Sequence, residues 1–130
     1  MHKVILDTNV FISGIVFGGN SRKIINLWLE KKFILCISPE LKAEILSKLK
    51  RKFLLPEEDL QTIQAALDTY SLKFVPKTKL NICRDPQDNF LFELAEESKA
   101  DFMISGDKKV LELMRYKNTK IISPKNFLDV

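Results

Sequence analysis

Short apolar runs alternate along the chain with longer segments in which apolar residues recur three and four positions apart. The runs predict buried strands at 4–6, 33–37, 73–75, 102–104 and 120–122. The helical spacing predicts helices over 21–31, 39–51, 56–70, 88–99 and 107–115, with a further helical turn at the C-terminus. Residues 12–19, which contain three of the four glycines, read as a linker, and 76–87 read as a loop.

Strands that alternate with helices predict an α/β fold with a parallel sheet covered on both faces. The length of 130 residues and the absence of an internal repeat favour one domain over 1–130. In such sheets, sites gather at the carboxyl ends of the strands. Asp7 and Asp107 each follow a predicted strand, so both are expected at that edge.

Composition narrows the class of protein. The hydrophobic fraction of 45% and charged fraction of 29% are ordinary for a globular domain, and the apolar runs are too short to span a bilayer. The N-terminal segment lacks the long apolar region of a signal peptide, so we expect a cytoplasmic protein.

Cys36 and Cys83 are too few for a disulfide framework or a thiolate zinc site, and Cys36 reads as a core residue. The single histidine, His2, lies at the terminus, which disfavours histidine-based catalysis.

The net charge of +4 leaves two interpretations open. The lysines and arginines are dispersed, which is compatible with a solvated surface and equally with a footprint for a phosphate backbone.

Four acidic residues stand out by position: Asp7, Glu44, Asp88 and Asp107. Asp88 and Asp107 begin predicted helices and could be helix caps, and Glu44 alone could be a surface residue. Asp7 ends a buried strand, where an unpaired carboxylate is costly and where no helix is predicted for it to cap.

Carboxylates that converge in one cleft repel each other unless protons or cations neutralise them. Oxygen ligands suit hard cations, and Mg²⁺ binds through few carboxylates while keeping waters. Such ions activate water for attack on a phosphodiester, and dispersed basic residues would hold the nucleic acid.

The motifs that carry these acids closely resemble those of PIN-domain nucleases over essentially the whole chain. They are Val-Ile-Leu-Asp-Thr-Asn-Val at 4–10, Glu-Leu-Lys-Ala-Glu-Ile at 40–45, Arg-Asp-Pro-Gln-Asp-Asn at 84–89 and Ile-Ser-Gly-Asp-Lys at 104–108. The third motif is most similar to a bacterial and archaeal subgroup described as toxins of toxin-antitoxin pairs.

The resemblance implies a three-layer α/β/α fold with a five-stranded parallel sheet ordered 3-2-1-4-5. It also implies dependence on Mg²⁺ or Mn²⁺ and endonucleolytic cleavage of RNA. The family's acidic, metal-binding positions fall on Asp7, Glu44, Asp88 and Asp107, and its small polar positions on Asn9 and Ser105. An antitoxin protein and a second copy of the chain are the implied partners, and the apolar run 53–55 is consistent with dimerisation.

Asp85 is a further acidic neighbour, which turn chemistry explains equally well. The segment 81–85 is longer than in the shortest family members, which leaves open whether Asp85 or Asp88 takes the third acidic position.

Two other classes compete with the nuclease. A phosphoaspartate phosphatase would need a second aspartate where Asn9 stands, and a receiver domain would need an early acidic pair. A non-catalytic RNA-binding module would have no reason to gather four acids beside phosphate.

Overall fold

The computed structural model describes residues 1–81 and 86–130. The strands are β1 (Lys3–Leu6), β2 (Ile34–Ile37), β3 (Ser71–Lys73), β4 (Phe102–Ile104), β5 (Arg115–Tyr116) and β6 (Thr119–Ile122). The helices are α1 (Thr8–Val16), α2 (Gly19–Leu29), α3 (Pro39–Arg51), α4 (Glu57–Tyr70), α5 (Pro86–Ser98), α6 (Lys108–Leu111) and α7 (Pro124–Leu128).

The strands form one sheet in the order β3-β2-β1-β4-β6-β5. The first five strands in this order are parallel, and β5 pairs with β6 in the antiparallel sense. The predicted α/β fold and the order of its five parallel strands are confirmed. The sixth strand, β5, was not predicted: its two residues pair with β6 across a tight turn in which Lys117 has a φ of 51°.

Helix α1 replaces most of the predicted linker. Its first turn is capped by Asp7, and it buries Val10, Phe11 and Ile12. Gly14 weakened the helical pattern in the sequence, but it is where α2 packs closest: a Cβ at this position would lie 2.7 Å from the carbonyl oxygen of Ser21. The linker prediction for 12–19 was therefore wrong, because a glycine needed for helix packing was read as a loop signal.

Smaller differences concern where elements begin and end. Strand β3 lies two residues earlier than the predicted 73–75, and α5 begins at Pro86 rather than Asp88. Helix α6 ends at Leu111 instead of continuing to Arg115, since Met114 has a φ of 61° and the chain then enters β5.

The core surrounds the central strand, where Val4, Ile5 and Leu6 are buried. Cys36 on β2 is buried, and desolvation raises the pKa of its thiol to about 11. The expectation of a core cysteine is thus confirmed for Cys36, whereas Cys83 lies outside the described residues. In the part of the chain that the structure describes, no helix is long and apolar enough to cross a membrane.

We predict that Gly14→Ala destabilises the protein although alanine favours helices. The added methyl group would meet the Ser21 carbonyl and the Ile25 side chain, and such overpacking costs ~1–3 kcal/mol. Urea unfolding followed by circular dichroism measures the change. Gly106→Ala is the matched control, because its methyl group would meet no described atom within 4 Å. Equal stability of the two variants would contradict this account of α1–α2 packing.

Candidate active site

Backbone hydrogen bonds fix two loops at the carboxyl edge of the sheet. The amide of Asp7 donates to the carbonyl of Ile104 at 2.9 Å, and the amide of Ser105 donates to the carbonyl of Ile122 at 3.1 Å. The residues that follow β1 and β4 therefore start side by side. This explains why Asp7 and Ser105, ninety-eight positions apart, share a hydrogen bond.

A chain of hydrogen bonds joins the first and last acidic motifs. The hydroxyl of Ser105 donates to Asp7 Oδ2 at 2.7 Å, and the amide of Asn9 donates to Asp7 Oδ1 at 3.1 Å. The same serine oxygen accepts from the amide of Asp107 at 3.0 Å. Ser105 thus orients the Asp7 carboxylate and the backbone of Asp107 together.

Both aspartates cap helices. Asp7 caps α1, and Asp107 caps α6 by accepting from the amide of Lys109 at 2.9 Å. The sequence argument that no cap would explain Asp7 was wrong, because α1 itself was not predicted. Capping accounts for Asp7 Oδ1, but it does not account for the burial of the whole carboxylate or for the acidic residue that faces it.

The electrostatics of Asp7 are unfavourable for an ionised carboxylate. Asp7 is 7% exposed, and desolvation raises its pKa, with the negative charge of Asp107 acting in the same direction. The hydrogen bonds from Ser105 and Asn9 and the positive charge of Lys48 lower the pKa but do not offset the burial. A cation bound beside Asp7 would relieve this cost.

Helix α3 places Lys48 beside the site, and Glu44 pairs with Lys48 from one turn earlier on the helix. Lys48 Nζ lies 3.8 Å from Glu44 Oε1 and 3.4 Å from Asn9 Oδ1, so it connects α3 to the start of α1. The sequence analysis did not identify Lys48. Its spacing of four from Glu44 was the available signal, since residues four apart share a helix face.

The remaining predicted acids are Asp88 and Asp85. Asp88 is half-buried in the first turn of α5, a helix that packs against β1, and it is not the helix cap that the sequence suggested. Asp85 lies outside the described residues. Within 1–81 and 86–130, no three acidic, histidine or cysteine side chains come close enough together to hold a metal ion.

The donor atoms nevertheless suit a hard divalent cation. Asp7 and Asp107 line an open cleft of about 490 Å³ together with the side chains of Asn9 and Ser13. Mg²⁺ typically uses one or two carboxylates and takes its other ligands from water and substrate phosphate. Two carboxylates in a cleft rich in oxygen donors fit that pattern, although the four predicted acids do not form a complete cage.

Comparison with known proteins agrees with the motifs. A family model described as the PIN domain matches residues 3–109. The chain belongs to the PIN-domain family. The matched segment includes all four motifs and every residue that lines the Asp7 cleft except Pro124, and members of this family are generally nucleases.

Two similar proteins extend the comparison. An uncharacterised protein of Methanocaldococcus jannaschii is 36% identical over 98% of this chain and 90% of its own length. The crystal structure of VapBC2 from Rickettsia felis bound to a DNA fragment from their promoter includes a chain with a similar fold. The TM-score is 0.61 at 16% identity, with 93% of this PIN domain and 98% of that chain covered.

We predict that Asp7→Asn stabilises the metal-free protein at neutral pH. The raised pKa means that Asp7 contributes most to stability below its ordinary value of 3.8, and that this contribution is lost as the pH rises through the raised value. An uncharged amide avoids that loss and can still cap α1, so we expect a gain of ~1 kcal/mol. Thermal melting in chelator measures it.

Asp59→Asn is the matched control, because Asp59 is exposed in the first turn of α4 and should change stability by under ~0.5 kcal/mol. Mg²⁺ at a hundredfold excess over its dissociation constant should stabilise the wild type by ~2.7 kcal/mol and Asp7→Asn much less. A lower melting temperature for metal-free Asp7→Asn would instead identify Asp7 as a purely structural cap.

Proposed function

We propose that this PIN domain is a metal-dependent endoribonuclease that hydrolyses RNA phosphodiester bonds with Mg²⁺ or Mn²⁺. The observation that carries the proposal is the buried Asp7 carboxylate, which lines one open cleft together with Asp107 and is affected by its negative charge. A protein that only bound RNA would gain nothing from negative charge at that position.

In this proposal Asp7 and Asp107 hold the ion, and Glu44 and Asp88 complete its surroundings directly or through water. Ser105 and Asn9 keep the Asp7 carboxylate oriented through the hydrogen bonds described above. The chemistry that a bound divalent ion supplies is a lowered pKa for the attacking water and neutralisation of phosphate charge. Asp85 stays a candidate neighbour of the cleft.

RNA as the substrate rests on the family resemblance, and the net charge of +4 is favourable for any phosphate backbone. The expected location, the cytoplasm, also stays a prediction.

We predict metal-dependent cleavage of single-stranded RNA into products with 5′-phosphate and 3′-hydroxyl ends. Water that attacks phosphorus displaces the 3′ oxygen, so the ribose 2′-hydroxyl takes no part. Mass spectrometry of the products, with Mg²⁺, Mn²⁺ or excess chelator, tests this. Cyclic 2′,3′-phosphate ends, or full activity in chelator, would contradict the mechanism.

Asp7→Asn and Asp59→Asn serve as the paired variants in the same assay. Loss of a metal-holding carboxylate should reduce cleavage by ~10²-fold or more, whereas Asp59→Asn should cleave like the wild type. RNA binding by Asp7→Asn should be retained, because basic side chains supply phosphate affinity. Binding without cleavage by the wild type would favour the non-catalytic RNA-binding module. Phosphate release from a phosphomonoester would favour the phosphoaspartate class.

We further propose that the chain is the toxin of a toxin-antitoxin pair, with an antitoxin protein and a second copy as partners. The similarity of its fold to a chain of the VapBC2 complex supports this role by analogy.

We predict that induced expression of the wild type in a bacterial host arrests growth, whereas Asp7→Asn at equal protein level does not. Growth curves with immunoblots measure this, and Asp59→Asn should arrest growth like the wild type. Equal arrest by Asp7→Asn would show that toxicity does not come from the cleft.

A further inference from the structure

An aromatic and cationic surface begins at the rim of the cleft and follows the contact between α1 and α3. These two helices touch at both ends of α1: Lys48 reaches Asn9 at the start, and the ring of Phe17 packs edge-on against Phe53 at the end, with 5.8 Å between centroids. We call Phe17, Phe53, Lys48 and Lys52 the α1–α3 surface. It covers about 12 Å along α1 at 1.5 Å per residue.

The aromatic end of this surface is open to solvent at Phe17, and Phe53 beside it is half-buried. Phe17 is 72% exposed, and no segment among the described residues covers it. Such exposure is unusual for a phenylalanine side chain. Phe53 is held by the turn that ends α3, where its amide donates to the carbonyl of Lys48 at 3.3 Å. The Phe17 ring packs edge-on against Phe53 and stays open to solvent, so it is available to contact an apolar group.

The charge of the α1–α3 surface is positive. Lys48, Lys50, Arg51 and Lys52 lie within five consecutive positions, and residues 48–55 contain no acid. Lys52 Nζ lies 5.9 Å from the centroid of the Phe53 ring. The helix dipole explains cations at the end of α3, but it does not explain exposed aromatic rings among them.

We infer that the α1–α3 surface binds the single-stranded RNA that leads into the cleft, with Lys48 and Lys52 on phosphates and a base stacked on Phe17. Cationic grooves with aromatic platforms bind single strands in this way without sequence preference. The ligand class rests on the proposed function. A second copy fits less well, because a two-fold contact through this surface would bring Lys48 and Lys52 of both copies together.

The test measures binding of a short, fluorescein-labelled single-stranded RNA of mixed sequence to Asp7→Asn protein in chelator, so that cleavage does not interfere. Phe17→Ala and Phe17→Leu should each weaken binding by about 5- to 100-fold, since neither residue has a face for stacking. Phe17→Trp should retain affinity, and bound RNA should quench the fluorescence of the new tryptophan. The native Trp28 is buried, so it should not contribute to this change. Lys52→Gln should reduce the slope of log affinity against log salt by ~0.7.

The chain offers a matched control at the opposite edge of the sheet. Tyr70 is 47% exposed, Lys31 Nζ lies 5.9 Å from the centroid of its ring, and Tyr70 directly precedes β3 at the amino edge. Tyr70→Ala and Lys31→Gln should leave RNA affinity unchanged, and Tyr70→Trp should show no quenching by RNA.

The possible outcomes test this inference separately from the proposed function. Phe17 variants that bind RNA like the Tyr70 controls would remove the α1–α3 surface from the RNA path. Phe17→Ala that binds RNA normally but converts a dimer to a monomer in light scattering would assign the surface to a second copy. If the wild type cleaves RNA and the Phe17 variants bind RNA normally, the inference is wrong but the proposed function stands. Phe17-dependent binding without any cleavage would support this inference and reject the nuclease.

Discussion

The arrangement of the residues around Asp7 is linked to the free-energy cost of burying its carboxylate. Parallel pairing of β1 with β4 brings Ser105 beside Asp7, and the turn into α1 brings the amide of Asn9 to its other oxygen. These donors hold the carboxylate in place, yet burial and Asp107 still raise its pKa. The hydrogen bonds therefore orient the Asp7 carboxylate but do not offset the cost of its negative charge. A buried carboxylate in this state favours a bound cation.

Lys48 supplies part of the missing positive charge from α3. It pairs with Glu44 at 3.8 Å and contacts the Asn9 side chain, so a basic residue lies at the entrance of an acidic cleft. This arrangement reconciles two opposite demands. A nuclease must hold carboxylates close to the scissile bond, and it must also attract a polyanion. Lys48, which contacts Asn9 and pairs with Glu44 one turn earlier on α3, places positive charge next to the carboxylates of the cleft and so meets the second demand.

The helices that carry these groups depend on close packing rather than on strong local preference. Gly14 lies in the last turn of α1, where glycine is less favourable to a helix than alanine, but it allows α2 to approach. Arg22 on α2 then donates to the carbonyls of Gly14 and Ile15 near the end of α1.

The sequence alone determined the α/β class with a parallel sheet and the edge at which Asp7 and Asp107 lie, whereas the order of the five parallel strands was an expectation from the resemblance to PIN-domain nucleases. It could do so because apolar runs, capping residues and motif order are local properties that survive any detail of packing. It missed α1, β5 and Lys48, and it gave no capping role to Asp7, which caps α1. Tertiary structure decided those points: a close helix contact outweighed the low helix preference of Gly14, and strand pairing brought Ser105 to Asp7 across the chain. Contacts between residues so far apart depend on how elements pack, which no local pattern encodes.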